Sequence, residues 1–394
     1  MSRRVVVTGI GITCCLGETK EEVIYSLDND ICGLKKQDYL NIECLKDLYF
    51  GKSKNEDILL ENCEDLEKTE YMAIKTIHQA LNDSHIEKEY IDKWDDRVGL
   101  SLSSSLVGID HIIKSAEVDQ NKGEWLIYSR RFANYIMEQI GIKGTCYTTS
   151  SACAAGTAGV GIAFDLVRDN DLDVAIVGGV DELSLFSIFG FYALRNLSKG
   201  ICKPFDNERD GINLGEGACF LILEELEHAI ARETTIYGEI LGYGIANDAY
   251  HMTAPDPNGY GASLAINMAR ENVNIDENSR IYINAHGTAT KANDAMELDI
   301  ITKEFGEDNV FVSSTKSRTG HCLGAAGSIE LAISLLSVKN KKAYATINSN
   351  LNMLENTKII QNRDKNQKFQ YAMSNSYAFG GHAASILIAE LKGV

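Results

Sequence analysis

The stretch TTSSACAAGTAGVG, residues 148–161, is built from the smallest side chains that a helix can carry, with a cysteine near its start. Each glycine in a helix costs stability relative to alanine, so this composition indicates close packing against another backbone. Ser150 and Ser151 are of the types that cap helices, and the free N–H groups of a first turn favour a thiolate. Cys153 is therefore a candidate nucleophile, with a small buried side chain as the alternative.

A second segment of similar composition lies further along the chain. GHCLGAAGSIELAISLL (residues 320–336) aligns with SACAAGTAGVGIAFDLV (residues 151–167), which places Cys153 opposite Cys322. A strand-like run precedes each segment, RVGLSLSSS before the first and RIYINAHGT before the second. Chance similarity among small residues is the alternative. The repeated order of strand, loop and helix favours a duplicated α/β unit with two central helices facing each other.

Composition and patterning indicate an ordinary globular enzyme-sized chain. Short β-branched runs alternate with helical stretches over 394 residues, and a boundary near residue 235 separates a first half, 1–235, from a second, 236–394. A net charge of −18 argues against a nucleic-acid or anionic membrane surface. The ten cysteines include no CxxC pair, so a zinc ribbon or disulfide scaffold is not expected. The opening MSRRVVVTGIGITCCLG fits a strand and turn better than a secretory signal, and we expect a cytoplasmic protein.

Two histidines lie in unusual surroundings. His286 follows an apolar strand in NAHGTAT, and His321 opens the second small-residue helix. If the halves are duplicates, Cys153 and His321 lie at the starts of paired helices. One cysteine with two histidines fits thiolate catalysis with oxyanion stabilisation, whereas their spacing carries no zinc signature. Lys316, five residues before His321, either holds a carboxylate or is an ordinary surface lysine.

Two glycine-containing segments complete the motifs. SNSYAFGGHAAS (residues 374–385) has a glycine pair before a strand, a form suited to presenting backbone N–H groups to an oxyanion. TGIGITCCLG lacks the third glycine that a dinucleotide-binding loop requires.

Together these motifs resemble the condensing enzymes of the thiolase fold, most closely the stand-alone β-ketoacyl-ACP synthases of type II fatty-acid and polyketide systems. The likeness runs in order from RVVVTGIGITCCLG through SSACAAG, KPFDNERDGINLGEGA, TAPDPNG, NAHGTATKANDAMEL and STKSRTGHCLGAAGSIE to SNSYAFGG. It implies a five-layered αβαβα architecture of two duplicated halves. It also implies decarboxylative condensation of acyl-ACP with malonyl-ACP, with no metal or cofactor beyond the phosphopantetheine of acyl carrier protein.

The resemblance also implies a role for particular residues. Cys153 matches the nucleophile that accepts the acyl group, and His286 and His321 match the pair that promotes decarboxylation and stabilises the enolate. Lys316 supports the site, paired with Glu330. The backbone N–H groups of Cys153 and Phe379 form the oxyanion hole, and Phe379 also gates the malonyl side.

The resemblance is less complete at the residues implied for carrier docking and for the acyl pocket. Leu106 and Phe191 match acyl-pocket positions, with ordinary core packing as the alternative. The chain has AFGGHAA where the family has GFGGTNA, and the resemblance places His382 and Ala383 at the thiol-facing end of that loop. The segment ENCEDLEK is mostly acidic where relatives are basic. The implied docking residues are the basic side chains Arg195, Lys68, Arg130 and Arg131.

Two other functions compete with the condensing enzyme. One is a chain-length-determining subunit that shapes a partner's tunnel without catalysis, but such relatives lack the nucleophilic cysteine. The other is a CoA-dependent acyltransferase of the thiolase type, which the pair of histidines disfavours. The family's default assembly is a homodimer, and specialised relatives pair with a related subunit that lacks the cysteine.

Overall fold

The structure is a computed structural model of the 394-residue chain. It describes residues 3–37, 42–53, 68–106, 109, 128–275, 279–306, 310–350, 358–359 and 369–391.

Thirteen strands are present in these ranges, and eleven of them form one continuous sheet. The strands are β1 Val5–Cys14, β2 Lys35–Lys36, β3 Tyr49–Phe50, β4 Val98–Ser103, β5 Cys146–Thr149, β6 Val174–Asp181, β7 Gly217–Glu225, β8 Gly238–Asn247, β9 Ile281–Asn284, β10 Val310–Ser313, β11 Lys358–Ile359, β12 Tyr371–Tyr377 and β13 His382–Ala389.

The helices differ widely in length and in how many of their residues are buried. They are α1 Lys20–Asp28, α2 Lys68–Asp83, α3 Lys88–Trp94, α4 Tyr128–Ile140, α5 Ala155–Arg168, α6 Leu185–Ala193, α7 Leu226–Ala231, α8 Tyr260–Arg270, α9 Lys291–Phe305, α10 Lys316–Thr319 and α11 Ala326–Asn340.

The strand order of the large sheet repeats itself about its middle. It runs β11-β10-β9-β12-β13-β8-β1-β7-β6-β4-β5, and β1 meets β8 antiparallel at the centre. Outward from that junction, β7, β6, β4 and β5 correspond in turn to β13, β12, β9 and β10. The order therefore confirms two duplicated halves. The division predicted after residue 235 lies in the connection between α7 and β8, and that boundary stays a prediction.

Five layers result from the way the helices cover this sheet. Helix α2 packs outside β1 and β7, and α8 packs outside β8 and β13. Helices α5 and α11 lie between the two halves, and each contacts strands of both. Both are buried along most of their length, because each is covered by sheet on two sides. The αβαβα architecture that the resemblance implied is confirmed.

The two central helices are in contact at glycine residues, Gly156 in α5 and Gly327 in α11. A Cβ atom at Gly156 would lie 2.7 Å from the Gly324 carbonyl oxygen, and one at Gly327 would lie 2.7 Å from the Thr157 backbone nitrogen. The small-residue composition is thus a consequence of backbone packed on backbone.

The register predicted between the two small-residue segments is wrong by two residues. A one-turn 3-10 helix precedes each central helix, Ala152–Ala154 before α5 and Leu323–Ala325 before α11. Ala152 and Leu323 both have φ of +49°. The residue opposite Cys153 is therefore Gly324 and not Cys322. A match based on the two cysteines puts the two turns out of register, because a positive φ leaves no mark in the side-chain pattern.

A methyl group at Gly327 is expected to force the central helices apart. The new Cβ would lie 2.1 Å from Thr157 Oγ1 as well as against its backbone nitrogen. Each helix is held by sheet on its other side, so we expect Gly327→Ala to lower the free energy of unfolding by about 3 kcal/mol in urea denaturation. Gly190→Ala in α6 is the control, since a Cβ there meets no described atom within 4 Å. Equal stability of Gly327→Ala and the parent chain would contradict the close crossing.

Candidate functional site

Cys153 lies in a strained turn between a strand and a central helix. Its neighbour Ala152 has a left-handed backbone, a conformation that costs energy for any residue with a Cβ. The cysteine is buried, with 7% of its surface exposed. Ser151 precedes the turn without a side-chain capping bond, and the residue at the N-cap of α5 is Ala154. The predicted serine cap is therefore wrong.

The thiol of Cys153 is protonated in the resting site. Burial raises its pKa to about 12, and the positive charge of Lys316 only partly opposes that effect. The thiolate that the helix start was expected to favour is therefore not the resting form. The sulfur has to lose its proton when a substrate arrives, so a neutral base or the leaving thiolate must accept it.

The two predicted histidines lie together and are both neutral. Their ring centroids are 5.4 Å apart, with the rings nearly perpendicular. Burial lowers the pKa of His286 and of His321 well below 6.5, and the charge of Lys316 lowers both further. His286 follows β9, and His321 follows the one-turn helix α10, so the C-terminal half supplies both rings.

Lys316 is fully buried, which excludes the surface-lysine alternative. The exposed fraction of its side chain is 0%, and that of its ion-pair partner Glu330 is 2%. Burial raises the pKa of Glu330 to about 7, against the lowering effect of the Lys316 charge. The Lys316 Nζ atom is 3.3 Å from His286 Nδ1. Because an ammonium group only donates, Nδ1 accepts and the His286 proton sits on Nε2.

The glycine pair of the 374–385 segment forms a sharp turn three residues after Tyr377, whose ring centroid lies 5.8 Å from that of His286. Gly380 and Gly381 both have φ of +79°. The Phe379 ring stacks on Phe191 at 5.5 Å, so the predicted gate touches a predicted acyl-pocket residue. The Gly380 N–H donates to the Met252 carbonyl at 2.8 Å, which ties this turn to the loop after β8.

Two of the three residues that depart from the family pattern, His382 and Ala383, follow this turn directly, and the third, Ala378, precedes it. His382 is half-buried and begins β13, and its ring packs back against Gly380. Its carbonyl accepts the Ala378 N–H at 2.8 Å. Ala383 is buried. The departure therefore lies at the base of the Phe379 turn.

The predicted acyl-pocket residues belong to one apolar cluster. Leu106 and Phe191 are partly buried side chains at its edge, and Leu323 of the second 3-10 turn is inside it. Its buried members are Leu45, Phe50, Leu183, Ile188, Leu214 and Leu323.

The predicted docking residues are spread over the surface and differ in availability. Arg195 is exposed just after α6, and Arg131 is exposed on α4. Lys68 starts α2, and its ammonium group binds the buried carboxylate of Glu216 at 2.8 Å. The side chain of Arg130 lies outside the described residues. The positive charge of Lys68 is therefore already committed to Glu216.

Two buried carboxylates accept hydrogen bonds from backbone groups around the site. The sequence analysis did not single out either of them. Asp181 accepts hydrogen bonds from the Ser104 hydroxyl at 2.6 Å, from two N–H groups after β4, and from the Gly324 N–H at 2.6 Å. Glu297 accepts from the N–H groups of His286 and Gly287, both at 2.8 Å. Glu297 lies three and four residues before Ile300 and Ile301, which puts all three on one helix face. That spacing was the sequence signal for the burial of Glu297.

Some other kinds of site are not seen in the part of the chain that the structure describes. No group of three His, Cys, Asp or Glu side chains there is placed to hold a metal ion. No helix there is both long enough and apolar enough to cross a membrane.

Sequence families match both halves of the chain. The family "Beta-ketoacyl synthase, N-terminal domain" matches residues 2–229, and "Beta-ketoacyl synthase, C-terminal domain" matches residues 237–350. The 3-oxoacyl-[acyl-carrier-protein] synthase 2 of Staphylococcus aureus (strain N315) is 34% identical over 412 residues, covering 99% of each chain. The protein of the same name from Coxiella burnetii (strain RSA 493 / Nine Mile phase I) is 33% identical over 416 residues, again covering 99% of each.

Solved structures of other ketosynthases superimpose on nearly the whole length of this chain. A β-ketoacyl synthase from Burkholderia phymatum STM815 superimposes with a TM-score of 0.86 at 27% identity, covering 100% of both chains. A ketosynthase complex with a type II PKS acyl-carrier protein gives a TM-score of 0.89 at 26% identity, covering 99% of this chain and 100% of that one. The chain therefore belongs to the β-ketoacyl synthase family and is a condensing acyltransferase.

Proposed function

We propose that this enzyme joins an acyl group from acyl-ACP to malonyl-ACP, with loss of CO2, through an acyl thioester on Cys153. The observation that carries the proposal is a buried cysteine within electrostatic reach of the Lys316–Glu330 ion pair. Lys316 of the same pair contacts His286, whose ring packs against that of His321. The 3-oxoacyl-ACP synthases that are similar over the full chain support the same substrates.

In the first half-reaction Cys153 takes the acyl group. Its sulfur attacks the thioester carbonyl, the new S–C bond forms, and the phosphopantetheine thiol leaves with the proton that Cys153 gives up. We assign the oxyanion hole to the backbone N–H groups of Cys153 and Phe379, because donors at a developing negative charge stabilise the transition state. The strained Ala152 turn supports this role, since it presents the sulfur and the N–H from the same short segment.

In the second half-reaction the histidines stabilise the carbanion equivalent of malonyl-ACP. Cleavage of the C–C bond to the carboxylate releases CO2 and leaves an enolate. The enolate forms a C–C bond to the acyl-Cys153 carbonyl and the S–C bond breaks. The sulfur leaves as a thiolate, which takes a proton from water to return to the resting thiol. Neutral imidazoles donate N–H bonds to the enolate oxygen without giving up a proton to it. Lys316 supports this by fixing the tautomer of His286 and by keeping both rings neutral.

Acyl carrier protein is the proposed partner that delivers both substrates. We place its docking surface on the exposed arginines Arg195 and Arg131, and we give Lys68 a lesser part because its charge is paired with Glu216. Leu106 and Phe191 are proposed to line the acyl pocket, because they edge one apolar cluster and Phe191 stacks on the gate Phe379.

We further propose that the enzyme works as a dimer in the cytoplasm, with a second copy or with a related ketosynthase-like subunit. One similar solved structure is a ketosynthase in complex with its chain length factor, at 27% identity and a TM-score of 0.81. All nine cysteines that the structure describes are free, which supports a reducing compartment. Light scattering of the purified chain, alone and after co-expression with a candidate subunit, distinguishes the two assemblies.

The acyl thioester is directly observable by mass spectrometry. Incubation with acyl-ACP is expected to raise the intact mass by one acyl group, located on the peptide that contains Cys153. Adding malonyl-ACP is then expected to discharge that mass and release 3-oxoacyl-ACP with one equivalent of CO2.

Control substrates separate the competing functions. Malonyl-CoA in place of malonyl-ACP is expected to support a much slower reaction, whereas equal rates favour the CoA-dependent alternative. A chain that is never acylated, alone or with a partner, contradicts the proposed function.

A further inference from the structure

The one-turn helix α10 carries one proposed site residue, Lys316, and precedes another, His321. Cysteine side chains contact its backbone. The helix begins at Lys316 and ends at Thr319, two residues before His321. Three sulfurs lie within 3.6 Å of its four backbone carbonyls, and a fourth, Cys322 Sγ, is 4.0 Å from the Thr319 oxygen. Cys202 Sγ lies 3.4 Å from the Lys316 oxygen, Cys32 Sγ lies 3.6 Å from the Ser317 oxygen, and Cys15 Sγ lies 3.6 Å and 3.4 Å from the oxygens of Arg318 and Thr319. We call Cys15, Cys32 and Cys202 the thiol collar.

Two members of the thiol collar are held in the protonated form that donates hydrogen bonds. Burial raises the pKa of Cys202 to about 12 and that of Cys15 well above its ordinary value. A protonated thiol is a weak donor, and a carbonyl oxygen accepts two bonds. A thiol can therefore donate to a carbonyl that already accepts a backbone N–H. The Lys316 carbonyl is an example, because it accepts the Gly320 N–H at 2.9 Å as well as the Cys202 thiol.

A helix this short needs such partners from outside. Its carbonyls make few bonds within one turn, so the orientation of the turn depends on donors from other segments. The collar residues come from three separate segments, after β1, after α1 and between α6 and β7. They therefore join the turn that carries Lys316 to the N-terminal half of the chain.

Cys202 has a second connection to the site, through Asn213. The Asn213 side-chain oxygen accepts the Cys202 N–H at 2.7 Å, and its backbone oxygen accepts the His321 N–H at 2.8 Å. The segment around Cys202 thus contacts the backbone of Lys316 and is one residue away from the backbone of His321.

We propose that the thiol collar, and Cys202 above all, positions Lys316 and His321 for the decarboxylation half-reaction. Its members are positioning residues, because they touch the backbone of the turn and no reacting atom. Cys153 lies in a different turn, Ala152–Ala154, which none of the collar residues contacts through a described hydrogen bond. Lys316 acts on Cys153 only through its charge, whereas it contacts His286 directly, so loss of the collar is expected to slow decarboxylation much more than acyl transfer. This inference rests on the proposed function.

The test compares Cys202→Ala, Cys202→Ser and the control Cys219→Ala in the full chain. Cys219 is fully buried on β7, so its alanine variant also removes one buried sulfur, but from a position outside the thiol collar. Two reactions are measured for each variant. They are acyl transfer from acyl-ACP to Cys153, followed by intact mass, and decarboxylation of malonyl-ACP alone, followed by CO2 release.

Cys202→Ala is expected to lower kcat for decarboxylation about five- to ten-fold, with KM for malonyl-ACP changed less than about two-fold. Its acyl transfer rate is expected to stay within about two-fold of that of the parent chain. Cys202→Ser keeps a donor at the same place and is expected to restore decarboxylation to within about two-fold. Cys219→Ala is expected to affect both reactions alike.

Three results overturn the inference: unchanged decarboxylation in Cys202→Ala, equal losses in both half-reactions, or no rescue by serine. If Cys202→Ala does not fold, Cys32→Ala is measured in its place, since Cys32 is half-buried and contacts the next carbonyl of the same turn. Failure of the parent chain to acylate Cys153 or to decarboxylate malonyl-ACP instead overturns the proposed function, and is visible before any variant is made.

Discussion

Cys153→Ala is expected to abolish formation of 3-oxoacyl-ACP, with a loss of at least about 10⁴-fold in the condensation rate. The variant has no sulfur to hold the acyl group, and alanine offers no other nucleophile. Condensation of acyl-ACP with malonyl-ACP is measured by chromatography of the carrier-bound products. The mass shift expected on incubation with acyl-ACP alone also disappears.

Decarboxylation of malonyl-ACP is expected to survive in the same variant. His286, His321 and Lys316 are left in place, and alanine fits the space of the buried thiol. Cys219→Ala serves as the control, because it removes another fully buried sulfur and keeps the nucleophile. Condensation by Cys153→Ala within about ten-fold of the parent rate contradicts the assigned nucleophile.

Lys316→Met is expected to lower the decarboxylation rate about 10³-fold and to destabilise the chain by about 3–5 kcal/mol. The rate falls because His286 loses the donor that holds its tautomer. Stability falls because Glu330 is left buried without its cation. Malonyl-ACP decarboxylation and urea denaturation measure the two effects separately.

The pH dependence of the remaining activity supplies a second readout of the Lys316 charge. In the parent chain, burial and then the Lys316 charge lower the pKa of both histidines. Removing the charge raises those pKa values, so protonation of the imidazoles begins at a higher pH. The acid limb of the rate is therefore expected to move to higher pH in Lys316→Met.

The double variant Lys316→Met/Glu330→Leu separates stability from chemistry. Replacing a buried ion pair by two apolar side chains often restores stability, because neither charge is then left unpaired. We expect recovery of most of the unfolding free energy with no recovery of the decarboxylation rate. Recovery of both contradicts an electrostatic role for Lys316.

The local patterns of the sequence were sufficient for several conclusions. Alternation of β-branched runs with helical stretches predicted the α/β class, and the small-residue segments predicted two apposed central helices. Their alignment still went wrong at Cys153, because the left-handed φ of Ala152 and Leu323 sets the register. A match of Ala-Ala-Gly to Ala-Ala-Gly, at 154–156 and 325–327, gives the correct register without the cysteines.

The fold class, the duplicated halves, the candidate nucleophile and the two histidines could all be predicted, since each follows from residues that are neighbours along the chain. The chemical state of the site could not be predicted in this way, because it depends on contacts made after folding. Burial sets the pKa of Cys153 and the neutrality of His286. The partner of the Gly324 N–H is Asp181, 143 residues away. Protonation and positioning depend on desolvation and on contacts between distant segments, and no local pattern reports either. The opening stretch therefore marks where Cys153 lies, and the second half of the chain determines its surroundings.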